Sequence, residues 1–553
     1  MSIFQARNDV ESRLCTAVNA AIRAKDARQL QAILILEPEY PPEHQELISA
    51  LRTRYPSNDG NAEQRLEQAV RRTVTETGES EDEEGRPVQA WGSMVTFLVG
   101  WMTFLRDVDL GDYLKLYSQL SDLQQQANSA LQHPVKGILM LPTIIDYANI
   151  FIRVVVGLDK QPELIEHLIA EAVDEEGQRE SLPEKAANTV RHAFITCLND
   201  RNTAPGGVRD GRPDGKKVGI YKMANICLKL LLQADKPESC ETIFKNIMNS
   251  SPPLHIYPAA ERVTYLYYLG RYHFANGNFY AAQLVLEKAY ADCHSASAFV
   301  KQRRLILVYL IAANLILGRF PSEAIYSTPE AKGFRQIFGP IAQAIRRGDL
   351  AAFRKITNLD LTHPCANFLV RYRIFYQIGN YCEVLVWRSL FRKIFILTGA
   401  MGSEAKSAAV LDLNAVLHIF RYLESRASTT NGGFAFGGHL VSSNNSSAYI
   451  DPDFAGMKDI EPYHHQTDLM EIESICGSLI TQGLLLGYIS QKSQRVAVSG
   501  ARRPEGALAY GFPQPWQVIQ DKSKGDVLGW KKEGGSDTQG QVVRLSGARP
   551  AGS

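Results

Sequence analysis

The sequence has none of the short motifs that would commit it to a chemistry. Its eight cysteines, at 15, 197, 227, 240, 293, 365, 382 and 476, form no C-x-x-C pair, which excludes a zinc ribbon and a thioredoxin-type redox motif. There is no phosphate-cradling Walker loop and no G-x-S-x-G nucleophile elbow. His464-His465 lack a third ligand at helical spacing, and Cys293-His294 stand alone within a helical run. The expectation is therefore no enzyme, no metal and no cofactor. An excess of one charge is missing too. Sixty Lys and Arg against 59 Asp and Glu leave a net charge of +1, so any nucleic-acid contact must come from local patches. Long apolar runs are scarce, and Met94 to Leu105 is too short to span a bilayer. The N-terminal MSIFQARNDVESRL is charged early, without the apolar core of a signal peptide. The cysteines sit within apolar helical patterns and read as buried free thiols in a reducing compartment. A soluble intracellular chain is expected, with no membrane partner. Period-two alternation is rare, so strands are few.

Helical repeats are present. In Arg262 to Tyr290, RVTYLYYLGRYHFANGNFYAAQLVLEKAY, Leu266, Leu269, Gly270 and His273 share one helix face. Phe279, Ala282, Leu286 and Ala289 share another. Gly270 and Ala282 are small where the two helices would cross, and Gly277 supplies the positive φ that ends the first. The spacing fits the tetratricopeptide pattern, with a partial echo at Leu310, Asn314, Gly318 and Phe320. Such units stabilise one another only by stacking.

Reading in order, residues 1–90 form N-terminal helices, with Val10, Leu14, Val18 and Ile22 on one apolar face, and the acidic loop ESEDEE at 79–84. Residues 91–217 form a helical array ending in DRNTAPGGVRDGRPDGKK at 200–217. That basic Gly/Pro loop reads first as a mobile connection and second as a nucleic-acid contact. Residues 218–385 carry the tetratricopeptide-like layer. Between 331 and 425 there are 13 Lys and Arg against 6 Asp and Glu.

In 386–500, WRSLFRKIFIL (387–397) and LDLNAVLHIFRYL (411–423) read as amphipathic helices. A Gly/Ser/Asn-rich insertion at 427–465 reads as disordered. Asp468 and Glu471 form a capping box opening a third helix, and Gly487–Ser490 and Arg495–Ser499 flank a polar turn as a hairpin. Three helices and a hairpin make a winged helix, and 501–553 reads as a mostly disordered tail. The fold class is an all-α helical-repeat (TPR-like) solenoid ending in a small α/β winged helix. Candidate nucleic-acid-binding residues are Lys492 and Arg495 on the wing and Arg388, Arg392 and Lys393 on the first helix, contacting phosphates. The third helix carries no basic residue, which argues against sequence-specific reading of a major groove. Equally, the basic residues can be a solvated face or meet a protein partner.

This layout resembles the PCI domain family of scaffold subunits. RVTYLYYLGRY, LVYLIAANLILG, WRSLFRKIFIL, LDLNAVLHIFRYLE and GLLLGYISQKSQRVAVS, over about 218–515, resemble the PCI subunit of the transcription-and-export complex 2 (TREX-2), and FLRDVD at 104–109 resembles its fungal form. The same blocks resemble its paralogue, the signalosome-associated twelfth subunit. The resemblance implies a GANP-type scaffold partner and a small acidic DSS-type protein. It also implies an RNA- and double-stranded-DNA-binding platform coupling transcription to mRNA export at the nuclear pore. The protein would then be nuclear, with some in the cytoplasm. A PCI winged helix also commonly pairs edge to edge with another, which would bring Val496-Ala497-Val498 against a partner. The alternative is a structural subunit of a signalosome or splicing-associated assembly. The insertion at 427–465 departs from the animal proteins.

Overall fold

The computed structural model describes residues 10–81, 87–165, 180–357, 363–401, 408–430, 448–449, 463–464, 467–523 and 525–531. The chain divides into two compact units, residues 1–258 with 526–553, and residues 259–525.

The first unit is a helical array. Its first helix, Val10–Arg23, buries Leu14, Val18 and Ile22. Asp26 opens Ala27–Ile33 by accepting from the backbone N–H of Arg28 and Gln29, and Asp112 does the same for Tyr113–Leu131; each satisfies amides that a helix start leaves orphaned. Trp91 and Trp101 are fully buried. Their indole N–H groups donate to Ala130 O and Ile35 O at 2.9 and 3.1 Å, as burial of a Trp requires. One stretch not foreseen as the most apolar, Lys136–Leu158, has a mean hydropathy of 1.7 and is long enough to cross a membrane. More than half of it is buried in this unit, with Ile144, Phe151 and Val155 inward, the pattern of a core helix.

The second unit opens with the repeat. Helices Ala259–Ala275 and Phe279–Asp292 pack together, followed by Val300–Ile316. Leu266, Leu269, Gly270, His273, Phe279, Ala282, Leu286 and Ala289 are all buried. A Cβ on Gly270 would lie 2.5 Å from Leu286 Cγ, so only glycine permits this approach. Gly277 has φ 74°, and the Asn278 N–H reaches back to His273 O at 2.8 Å. The echo closes alike: Gly318 has φ 78°, and the Arg319 N–H donates to Asn314 O at 2.7 Å.

Further on, helix Phe375–Thr398 runs 24 residues without a break across the expected boundary at 385/386. Beyond it lie helices Leu413–Thr430 and Leu469–Gln482 and a three-stranded antiparallel sheet. Residues 411 and 412, expected as helix, belong instead to strand Ala409–Asp412. Leu411 is buried, and Asp412 ends the strand by accepting from the Asn414 N–H, so the helix starts two residues late. The hairpin is Gly487–Ser490 and Arg495–Val498. Strand Arg495–Val498 is central, paired on one side with 409–412 and on the other with 487–490. Its backbone groups are spent, so Val496-Ala497-Val498 is not the expected edge; the outer strands are Ala409–Asp412 and Gly487–Ser490.

The segment after the hairpin corrects the expectation of a mostly disordered tail over its first twenty residues. Gly506–Tyr510 and Pro515–Lys522 are helices. Pro515 covers Gly318, and Trp516 lies 5.7 Å from the Tyr280 ring with the Arg319 guanidinium 4.4 Å away. Lys522 Nζ donates to Gln482 O at 2.9 Å, capping the helix before the hairpin. This strap ties repeat, sheet and helix together. Its signal in the sequence was the run Phe512-Pro-Gln-Pro-Trp, in which prolines set φ and aromatics supply buried area. Most of the 427–465 insertion and residues 532–553 lie outside the described residues.

Candidate nucleic-acid interface

The hairpin turn is held from both ends. Gln494 takes φ 53°, its carbonyl accepts from the Leu413 N–H at 3.0 Å, and its side-chain oxygen accepts from Asn414 Nδ2 at 2.9 Å. Asp468 caps helix Leu469–Gln482 by accepting from the Glu471 N–H at 2.8 Å, and Gly483 ends that helix at φ 78°. Lys492 and Arg495 therefore stand exposed on a rigid turn. Asp412 lies opposite Arg495 in the sheet register, a carboxylate that tempers the local positive field.

On helix Phe375–Thr398, Lys393 is exposed and Arg392 half-buried. Arg388 corrects the expectation. It is buried, and Nη2 donates to Phe512 O and Pro513 O at 2.7 and 2.6 Å. Burial, and secondarily the nearby Arg392 charge, pull its guanidinium down to about 10. It is a structural cation holding the strap, and no phosphate can reach it. No periodicity could separate Arg388 from Arg392, because its acceptors lie more than a hundred residues away.

The neighbouring basic residues divide in the same way. Arg354 pairs with Glu383 at 2.8 Å, and Arg346 lies over the Phe320 ring at 4.6 Å while staying exposed. The turn after Arg346-Arg347 presses on the long helix: a Cβ on Gly348 would lie 2.5 Å from Leu390 N. The helix that would enter a groove, Leu469–Gln482, shows Met470 and acidic Glu473. This surface can hold a phosphate backbone without reading bases.

The 200–217 loop differs from a mobile connection. It holds a hairpin, Val208–Arg209 with Arg212–Pro213. Asp210 and Gly211 both take positive φ, 51° and 71°, the two-residue turn that Asp-Gly favours.

All eight cysteines are free and buried, and burial pushes the Cys15, Cys197, Cys227 and Cys476 thiols up to about 12, which keeps them unreactive. Among the described residues, no three His, Cys, Asp or Glu side chains gather as a metal site. His464 and His465 are not among the described side chains.

No protein-family model matches the chain. It is 23% identical over 483 residues to a PCI domain-containing protein of Schizosaccharomyces pombe, covering 86% of this chain and 90% of that one. It is 25% identical to PCI domain-containing protein 2 of Xenopus laevis over 57% of this chain and 62% of that one. With a protein named CSN12 homolog of Gibberella zeae it shares 27% identity, over 60% and 63% of the two chains. In the latter two cases the match spans under two thirds of the relative. These similarities support a PCI-domain protein of the helical scaffold type.

Proposed function

We propose that this chain is a non-enzymatic scaffold subunit whose residues 259–525 form a PCI module, the helices and three-stranded sheet from Phe375 to Val498 being its winged helix. The observation that carries this reading is the second unit itself. A tetratricopeptide-like repeat and a three-helix, three-strand element share one compact body, joined by the long helix and the strap. Such a body offers surface rather than a catalytic cleft. In this reading the assembly is TREX-2, with a GANP-type scaffold and a small acidic DSS-type protein as partners, in the nucleus at the pore. Lys492, Arg495, Arg392 and Lys393 then add phosphate contacts for RNA or double-stranded DNA.

The similarity to proteins named CSN12 homolog favours a second reading equally, a structural subunit of a signalosome or splicing-associated assembly. Affinity purification of the full chain with mass spectrometry separates the two. A GANP-type scaffold with nucleoporins is expected for the first. Recovery of signalosome or spliceosome subunits instead would sink it.

A further inference from the structure

Asp200–Lys217 is a built element of the first unit, and nothing in the scaffold reading uses it. Its three aspartates are spread unequally. Asp200 takes the Asn202 N–H on one oxygen and the Lys216 N–H on the other, at 3.2 and 2.8 Å. Asp214 accepts from the Ala204 N–H at 2.7 Å and pairs with Arg209 at 3.4 Å. Only Asp210 is left at the tip. Lys216 and Lys217 point inward, their Nζ atoms donating to His133 O and Leu198 O at 2.9 and 3.0 Å. What faces water is mostly arginine: Arg201, Arg212 and Arg209, the last paired with Asp214, are exposed, with Asp210 exposed between Arg209 and Arg212.

At the base of this hairpin opens a recess of about 880 Å³. Gln89, Gln132, Asn199 and Asn202 supply amides around it, Arg201 stands on its wall, and Ile195 adds apolar surface at 38% exposure. Asp200, already occupied by two backbone amides, is its only carboxylate among the described residues. Amides both donate and accept, which suits the edge of a nucleobase. A base can enter a recess only when it is out of the helical stack, the condition of a single strand.

We propose that the hairpin and its recess bind single-stranded nucleic acid, with Arg201, Arg209 and Arg212 on the phosphates and the amide-lined recess holding an unstacked base. The site is separate from the wing and stands or falls independently of it. Because the hairpin is already ordered, binding spends little on fixing a loop.

The test is fluorescence anisotropy of the full chain with labelled oligo(U), oligo(dT) and a duplex of equal length, across a salt series. Arg201→Ala/Arg209→Ala/Arg212→Ala is expected to weaken single-strand binding by at least about tenfold and to flatten the salt slope by roughly two, at about 0.7 per phosphate. The matching Lys substitutions should keep that slope. Gln132→Glu/Asn199→Asp, which puts carboxylates in the recess, should weaken single strands with the thermal melt unmoved. The Lys492→Ala/Arg495→Ala variant, measured beside these, reports on the wing alone. An unchanged affinity and slope in the triple Ala variant would overturn the proposal, as would equal losses on duplex and single strand. Displacement of the probe from the hairpin by polyglutamate but not by unlabelled oligonucleotide would overturn it in favour of an acidic protein segment.

Discussion

Two turns in this protein pair arginine with a left-handed glycine, and they end differently. Arg346-Arg347-Gly348 closes a helix at φ 64° and lies against the backbone of Leu390. Arg209-Asp210-Gly211-Arg212 turns a hairpin at φ 71° on Gly211, and nothing lies within 4 Å of a Cβ built there. Local sequence is nearly the same in kind: basic residues beside a glycine that relieves a positive φ. One turn became a packing contact, and the other became a projecting tip. An arginine-flanked glycine turn is thus no guide to how the turn packs. Gly348 is buried and Gly211 exposed, while the arginines of both turns stay exposed, because the burial of the turn is set by whatever the fold brings opposite.

Substitution at the two glycines should break this symmetry most. Gly348→Ala adds a backbone penalty of about 1–2 kcal/mol to overpacking of about 1–3 kcal/mol, while Gly211→Ala carries the first cost alone. Denaturant titration of both variants measures the gap, and equal losses would mean that the Gly348 turn is not pressed on the long helix.

Next come the two kinds of arginine in the second unit. Arg388→Met should lose about 1–3 kcal/mol for each of the Phe512 and Pro513 carbonyls left unpaired, without reducing salt-dependent binding of nucleic acid. Lys492→Ala/Arg495→Ala should do the reverse, leaving the melt in place and flattening the duplex salt slope by about two, at 0.9 per phosphate. Filter binding in which Arg388→Met flattens the slope and the wing pair does not would exchange their roles.

The smallest effect concerns the base of the first unit's hairpin. His133 Nδ1 accepts from the Lys136 N–H at 3.0 Å, so Nε2 carries the proton donated to Gln89 O at 3.0 Å. Burial, with the Lys136 and Lys216 charges, holds its pKa below the ordinary histidine value. The folded state therefore binds a proton less readily than the unfolded one. Stability from this neutral ring is present above about pH 6.5 and lost as pH falls below it. Thermal melts on acidification should drop more for the natural chain than for His133→Gln, and parallel curves would remove the effect.

Much of the second unit was legible because its signals are local. Gly277 and Gly318 announce helix ends, Asp468 announces a start, and the runs at 487–490 and 495–498 announce strands by residue type. The strand at 409–412 was hidden since four residues ahead of an amphipathic helix carry no periodicity of their own. They are a strand because Arg495–Val498 offers them a ladder. The same holds for the strap: Trp516 needs Tyr280 and Arg319, more than 190 residues earlier in the chain, before it has anywhere to pack.

The sequence by itself determined that this is a helical-repeat protein with a hairpin near its end, because helix caps, turns and alternation act over a few residues. It also determined that arginine and lysine are the available contacts for phosphate. Only the tertiary structure decided which of them remain available. Arg388, Arg354, Lys216 and Lys217 are drawn inward to carbonyls and a carboxylate, whereas Lys492, Arg495, Arg201 and Arg212 are left in water. A side chain's charge is fixed by its type, but its partner is chosen by whatever chain folds beside it.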